Sequence, residues 1–269
     1  MIELNTYKDF HDYIDAFKKK KMNLLVVLSR GGLAKSYTVE EALIESAPLI
    51  FSGHVTPLSM YYRIYERTVE DKECFVIFDD VDTLVANKSN VSLLKQICDS
   101  REEKIIRYAS STQMIKDLPP EYETKCKVIL LTNHVRYKDP NVEAFLSRGH
   151  LIYFNPPNSE IVRELKTWGK EKDIIEFMEQ FAFFSKNLNM RTYKMAEELK
   201  ASKLDWQKFV VQELKIDLKF LYIHKLIGKY NTDIERIKEY EEVYKLSRSD
   251  YYRYKKLYES HCKEVPKNP

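Results

Sequence analysis

Lys35 and Ser36 close the stretch Ser29-Arg30-Gly31-Gly32-Leu33-Ala34-Lys35-Ser36, which follows the apolar run Leu24 to Leu28 and leads into a polar, helix-compatible segment. A buried strand feeding a glycine-bearing loop that opens a helix suits an anion, because backbone N–H groups and a helix N-terminus converge there. In that setting Lys35 neutralises β/γ-phosphates as a point charge, and the Ser36 hydroxyl is a ligand for Mg²⁺. The stretch departs from the pattern G-x-x-x-x-G-K-[ST] at both of its glycines, where Ser29 and Ala34 stand. Taken alone, an ordinary strand-to-helix turn has the same composition.

A second element narrows the choice. In Cys74-Phe75-Val76-Ile77-Phe78-Asp79-Asp80-Val81-Asp82, five apolar residues from Phe75's neighbourhood end in two adjacent carboxylates. A strand buried on both faces delivers its last residues to the carboxyl edge of a parallel sheet, where ligands sit in open α/β folds. Asp79 is there the candidate to hold the metal opposite Ser36. The plainer reading is a strand end, where Asp is common.

The elements that would position these groups are legible along the chain. Apolar runs near 24–28, 48–51, 74–78, 127–132 and 151–154 predict five strands separated by segments long enough for crossover helices, hence a parallel α/β sheet. Before them, residues 1–22 predict one amphipathic helix from Tyr7 to Phe17, ending in Lys18-Lys19-Lys20-Lys21. Asp99 to Lys125 is charged and irregular, with Ile105-Ile106-Arg107-Tyr108 as a candidate hairpin strand and Pro119-Pro120 as a breaker. Asn155-Pro156-Pro157 punctuates the chain, Asn158 and Ser159 offer caps, and 159–228 reads as helix throughout, with Phe177, Phe181, Phe183, Phe184 and Leu188 as a packed aromatic face.

At this point the chain resembles the AAA+ ATPases, over roughly residues 20–225. Gly32-Leu33-Ala34-Lys35-Ser36 is similar to a G-x-A-K-S variant of the family's phosphate loop, and Phe78-Asp79-Asp80-Val81-Asp82 to its Walker B element, with Asp80 where most members carry a water-polarising glutamate. Asp-Asp there is similar to the replication-initiator and helicase-loader branch. Lys127-Val128-Ile129-Leu130-Leu131-Thr132-Asn133 resembles sensor 1, whose Asn orients the hydrolytic water. Phe145-Leu146-Ser147-Arg148-Gly149-His150 is similar to the Ser-Arg-Cys element of clamp loaders, with Gly149 for Cys, and implies that Arg148 reaches a neighbouring subunit's ATP. Asn189-Met190-Arg191-Thr192-Tyr193 resembles sensor 2, with Arg191 on the γ-phosphate.

The resemblance thus implies ATP and Mg²⁺ as cofactors. Its nucleotide site is Gly31, Gly32, Leu33, Ala34, Lys35, Ser36, Tyr37 and Arg191, with Ser36 and Asp79 on the metal and Asp80, Asn133 and Arg148 catalytic. It also implies self-assembly into a head-to-tail, hexamer-like ring or a filament.

The last forty residues differ in character. Asp233 to Tyr244 and Ser249 to Tyr258 each carry a helical pattern, joined by Lys245-Leu246-Ser247-Arg248, the minimum of a helix-turn-helix in which Ser247 caps the second helix. Residues 245–269 hold seven Lys/Arg against three Asp/Glu, and Arg248, Arg253, Lys255 and Lys256 interleave with Tyr251 and Tyr252. Cations among aromatic rings suit phosphate and base contacts. A basic helix packed on its neighbours has the same composition.

Composition bounds the rest. The chain has 269 residues, 44 Lys/Arg against 41 Asp/Glu, and 44% hydrophobic residues, enough for a sizeable core. No run approaches the roughly 18 apolar residues of a membrane span, Met1-Ile2-Glu3-Leu4-Asn5 has no signal-peptide pattern, and a cytoplasmic protein with no membrane partner is expected. The four cysteines are scattered and predict neither disulfides nor zinc.

The expected organisation is an N-terminal helix over 1–22, a five-stranded α/β nucleotide-binding domain over 23–155, a helical lid over 156–230 and a basic all-α module over 231–269. The expected function is an ATPase driving a DNA transaction such as replication initiation, helicase loading or DNA remodelling, with a helicase or another replication protein as partner. A protein remodeller that docks its partner on the C-terminal helices, and an assembly scaffold with little turnover, stay open beside it.

Overall fold

The computed structural model describes residues 1–81, 88–109, 118–133, 140–185 and 188–262. The chain divides into two units, 1–156 and 157–269.

In the first unit the apolar runs form strands, and the sheet is parallel throughout. In chain order the elements are β1 (Ile2–Leu4), α1 (Tyr7–Lys18), β2 (Leu24–Leu28), α2 (Lys35–Leu43), β3 (Leu49–Ser52), α3 (Pro57–Glu70), β4 (Phe75–Asp79), α4 (Lys88–Ile97), a hairpin of β5 (Lys104–Arg107) and β6 (Glu121–Thr124), β7 (Lys127–Thr132), α5 (Pro140–Leu146) and β8 (His150–Phe154). The strand order is β1-β8-β2-β7-β4-β3. β7 therefore lies between β2 and β4, in register Leu28↔Thr132 on one side and Asp79↔Leu131 on the other. Those three central strands are almost wholly buried, which is why they read as continuous apolar runs.

The sheet has six strands among the described residues, where five were expected. The sixth, β1, pairs with β8 at the edge, Ile2↔Ile152 and Leu4↔Phe154. Three residues, of which only Leu4 is buried, give too short a pattern to read. The expected helix over Tyr7–Phe17 is α1, capped by the Thr6 side chain, with Tyr7, Phe10, Ile14 and Phe17 buried along one stripe. The candidate hairpin strand is β5, paired antiparallel with β6. Asp82 lies outside the described residues.

The second unit is helical: α6 (Asn158–Trp168), α7 (Lys172–Ala182), α8 (Met190–Ala201), α9 (Trp206–Glu213), α10 (Leu218–Lys229), α11 (Asp233–Glu242) and α12 (Arg248–Cys262). Asn158 and Ser159 do not cap α6, whose cap position is Pro157 with no side-chain bond. The Asn158 amide instead donates to the Ala182 and Ser185 carbonyls, at 2.8 and 2.7 Å, and closes the end of α7. Phe177, Phe181 and Leu188 are core, whereas Phe183 is 64% exposed.

Gly149 shows how tightly β8 approaches β2. A Cβ there would fall 2.5 Å from Leu24 Cγ and 2.7 Å from the Leu24 carbonyl oxygen, and backbone cannot yield as a side-chain tip can. Gly149→Ala should therefore lower stability by about 1–3 kcal/mol, read as a reduced urea midpoint with an unchanged slope. An unchanged midpoint would mean that the two strands separate without cost.

Candidate nucleotide site

The loop between β2 and α2 owes its shape to two left-handed residues, Gly32 (φ 80°) and Ala34 (φ 58°). Successive turns of this kind make a concave run of backbone amides at the start of a helix, the arrangement that receives anions. Ser29 is not left-handed. Its N–H continues the ladder, donating to the Thr132 carbonyl at 3.2 Å, so no glycine is needed at that position.

Lys35 opens α2 and is 5% exposed. A buried ammonium must be hydrogen-bonded, and Lys35 Nζ donates to the Ser29 carbonyl (3.1 Å), the Thr132 carbonyl (3.3 Å) and Asn133 Oδ1 (2.8 Å). Asn133 turns its other end to the neighbouring strand, where Nδ2 donates to Asp80 Oδ1 and Oδ2 at 3.0 and 3.1 Å. Amide oxygen to the cation and amide nitrogen to the carboxylate is the assignment both charges require. Asp80 itself is left-handed (φ 46°), with its N–H on the Leu131 carbonyl at 3.0 Å. Beside this line, the Ser36 hydroxyl donates to Asp79 Oδ1 at 2.8 Å.

The fold thus brings Lys35, Ser36, Asp79, Asp80 and Asn133 to the carboxyl edge of adjacent strands. Ser36 and Asp79 fit a Mg²⁺ ion: both are hard oxygen donors, already juxtaposed, and such ions take one or two protein ligands with phosphates and water completing the shell. Among the described residues no group of three or more His, Cys, Asp or Glu forms a metal cage. Gly31 and Tyr37 face solvent, Tyr37 being 64% exposed, and Leu33 is buried.

Arg148 lies elsewhere. It precedes β8, whose His150 is level with Leu25 near the start of β2, whereas the loop that leads to Lys35 follows Leu28 at the strand's end. Its guanidinium donates to the Lys95 carbonyl (2.9 Å) and to Asp99 Oδ2 (3.2 Å). Asp99 also receives Arg101, and chiefly this hydrogen bond holds its carboxyl well down, at about 2. Arg191 is exposed in the first turn of α8, in the second unit, where Asn189 caps the helix by accepting from the Thr192 N–H at 3.0 Å. Sequence reasoning missed Asp99, and also Tyr7, whose hydroxyl donates to the Leu33 carbonyl at 3.3 Å. Neither carries a local motif.

On α12 the six residues expected at a nucleic-acid surface divide between two faces. Ser247 caps the helix as expected, accepting from the Asp250 N–H at 3.2 Å. Tyr251 is fully buried, with its hydroxyl donating to Asp233 Oδ1 at 2.8 Å, and Lys255 bonds Asp233 Oδ2 at 2.5 Å. Both side chains are taken up inside the unit. Arg248, Tyr252, Arg253 and Lys256 face out, with Arg248 5.8 Å from the centre of the Tyr252 ring.

No family profile matches the chain, and no curated protein matches it. Solved structures that resemble it include domain III of the replication initiation protein DnaA from Thermotoga maritima (12% identity, 78% of this chain and 90% of that one, TM-score 0.44). AMPPCP-bound DnaA from Aquifex aeolicus overlaps 96% of this chain and 79% of its own at 14% identity and TM-score 0.44. A single-residue mutant of Thermotoga maritima RuvB covers 86% and 76% at 15% identity and TM-score 0.48.

Asp233 also receives Arg236 at 3.0 Å, and the Lys255 hydrogen bond first, then Tyr251 and Arg236, hold its carboxyl at about 2. A folded-state value below the unfolded one of roughly 3.9 means stability that is present above pH 4 and lost as pH falls toward 2. Asp233→Asn should lower stability by about 1–3 kcal/mol at pH 7, and the gap from wild type should close in acid-unfolding curves between pH 4 and 2. A gap independent of pH would show that the carboxylate's charge is not what Lys255 and Arg236 need.

Proposed function

We propose that this chain is an AAA+-type ATPase that works on DNA as a self-assembled ring or filament. The observation that carries the reading is the convergence of Lys35, Ser36, Asp79, Asp80 and Asn133 on one sheet edge, in the hydrogen-bonded pairs Ser36–Asp79 and Lys35–Asn133–Asp80. These are the groups to which the sequence resemblance assigns phosphate, metal and water, and their juxtaposition supports that reading.

The loop amides and Lys35 bind the phosphates, and Lys35 exchanges carbonyl and amide partners for phosphate oxygens when it does so. Ser36 and Asp79 hold Mg²⁺, which when bound screens the phosphate charge and stabilises the transferring phosphoryl group. Asp80, steered by Asn133, accepts a hydrogen bond from the attacking water; the carboxylate is exposed and already aimed along the strand ends. Asn133 links the water-activating carboxylate to the phosphate-binding cation, so binding and activation share one amide.

Arg148 serves another subunit in this reading. β2 spans four residue steps from Leu24 to Leu28, roughly 13 Å at about 3.3 Å per residue, and the Arg148 guanidinium is turned to Asp99 and Lys95. Its place near the amino edge and the phosphate loop's place at the carboxyl edge suit head-to-tail contact. In the DNA-contacting role, the outward set on α12 acts without Tyr251 and Lys255: Arg248, Arg253 and Lys256 for phosphates and Tyr252 for stacking. The lid over 156–230 and the module over 231–269 belong to the same proposal.

Two experiments test it. Arg148→Ala should bind ATP normally and hydrolyse it on the order of 10³-fold more slowly, Lys35→Ala should not bind ATP, and mixing the two should restore turnover, because a mixed interface pairs an intact loop with an intact arginine. No rescue at any ratio, with wild-type turnover independent of protein concentration, would rule out action in trans; no turnover under any condition would leave the scaffold reading.

For DNA, binding measured across a salt series should give a log–log slope of about −0.9 per phosphate contact. Changing Arg253 and Lys256 together to Ala should flatten it by up to about two units, whereas Tyr252→Ala should weaken binding with the slope kept. DNA binding that is absent, or insensitive to all three changes, would favour a protein partner on these helices.

A further inference from the structure

We propose that Tyr7 is a positioning residue of the phosphate loop: its hydroxyl fixes the Leu33–Ala34 peptide plane and so aims the Ala34 N–H at the bound anion. The proposal rests on the nucleotide reading of that loop and concerns a residue from outside it, in the N-terminal strand–helix segment.

The hydroxyl of Tyr7 donates to the Leu33 carbonyl at 3.3 Å, across 26 residues of sequence. A trans peptide is planar, and its C=O and N–H point in opposite directions. Holding the Leu33 oxygen toward Tyr7 therefore directs the Ala34 N–H to the other side of the same plane. This plane joins a 1% exposed Leu33 to Ala34, whose φ of 58° is one of the two left-handed turns that shape the loop. A non-glycine residue pays roughly 1–2 kcal/mol in that region, so the plane before it is the part of the loop most in need of an external hold.

Tyr7 is itself well placed to be rigid. It begins α1, behind the Thr6 cap, and is 2% exposed. Its ring meets Phe154 edge-on, with centroids 5.1 Å apart. Leu4, just before it, is level with Phe154 in the sheet, so the segment arrives at the carboxyl edge where the loop lies. Packing alone does not call for a phenol. Phe10, one helical turn on, stacks on the same Phe154 at 4.5 Å without a hydroxyl. Tyr7 differs from Phe10 by its oxygen, and that oxygen reaches the loop carbonyl.

The test compares Tyr7→Phe with Phe10→Leu and Lys35→Ala, measuring the Kd for Mg·ATP, the Michaelis parameters and the thermal midpoint of the ligand-free protein. Tyr7→Phe keeps the ring and removes the hydroxyl with its bond to the Leu33 carbonyl, so Kd and KM should rise roughly 3- to 10-fold with kcat at saturation within about twofold. Phe10→Leu should lower the midpoint and leave Kd within about twofold, separating loop positioning from the general stability of α1. If Tyr7→Phe binds as wild type does while Lys35→Ala does not bind, the positioning role is wrong and the nucleotide site stands. If the Kd of both aromatic variants rises in proportion to their lost thermal midpoint, Tyr7 acts through stability alone and the proposal fails. Wild type that does not bind Mg·ATP overturns the nucleotide reading and this proposal with it.

Discussion

A lysine ammonium at 5% exposure sets the terms for the carboxyl edge of the sheet. Leaving such a charge unpaired would cost far more than a small domain can spare, so the end of β2, the end of β7 and the Asn133 side chain are all turned toward Lys35. Two carbonyls and an amide oxygen are among its partners. Through the Asn133 amide the same network reaches the Asp80 carboxylate. This arrangement requires β7 to lie between β2 and β4. Any other order would separate Asn133 from Lys35 or from Asp80. In the nucleotide reading proposed above, an incoming phosphate adds full negative charge beside Lys35, at groups that are hydrogen-bonded to one another before it arrives.

The departures from the usual phosphate-loop pattern have separate backbone explanations. Ser29 is not left-handed and its N–H prolongs the ladder, so a side chain there is harmless. Ala34 stands where a glycine would be relaxed, at φ 58°, and the fold bears that strain with help from the helix it starts: the Ala34 carbonyl accepts the first helical bond, from the Thr38 N–H at 2.9 Å. Asp80 is also left-handed, at φ 46°. Asp tolerates that region better than longer or branched residues, and from there its short carboxylate still meets Asn133 with both oxygens. The backbone thus supplies a reason for Asp at this position.

What could be read in the sequence follows from where the information resides. Strands β2, β4 and β7 are buried on both faces and announce themselves by their own composition, and the order of Lys35, Asp79 and Asn133 at their ends carried the site with them. β1 was not legible, because Ile2-Glu3-Leu4 is too short to show a period. Asn158 looked like a cap because a cap is a local event; its actual partners, the carbonyls of Ala182 and Ser185, lie more than twenty residues away. Tyr7 and Asp99 failed to register for the same reason. Each has a distant partner, the Leu33 oxygen or the Arg148 guanidinium, to which no local motif points.

The C-terminal helix shows the same limit in a different form. Composition counts cations and rings, and α12 has both, but the fold turns one of each inward and leaves the others exposed. Lys255 and Tyr251 are committed to Asp233, together with Arg236, at the start of α11. They hold α12 to α11, and a nucleic acid could recruit them only by breaking the contacts that form the surface it would bind. Arg248, Tyr252 and Lys256 recur every four residues, so they line one face of the helix, with Arg253 beside them. None of these four anchors the module. Exposed cations cost nothing to redirect, whereas internal ones carry the module's stability, so a single basic helix can serve as both framework and contact surface only because its charges are divided in this way.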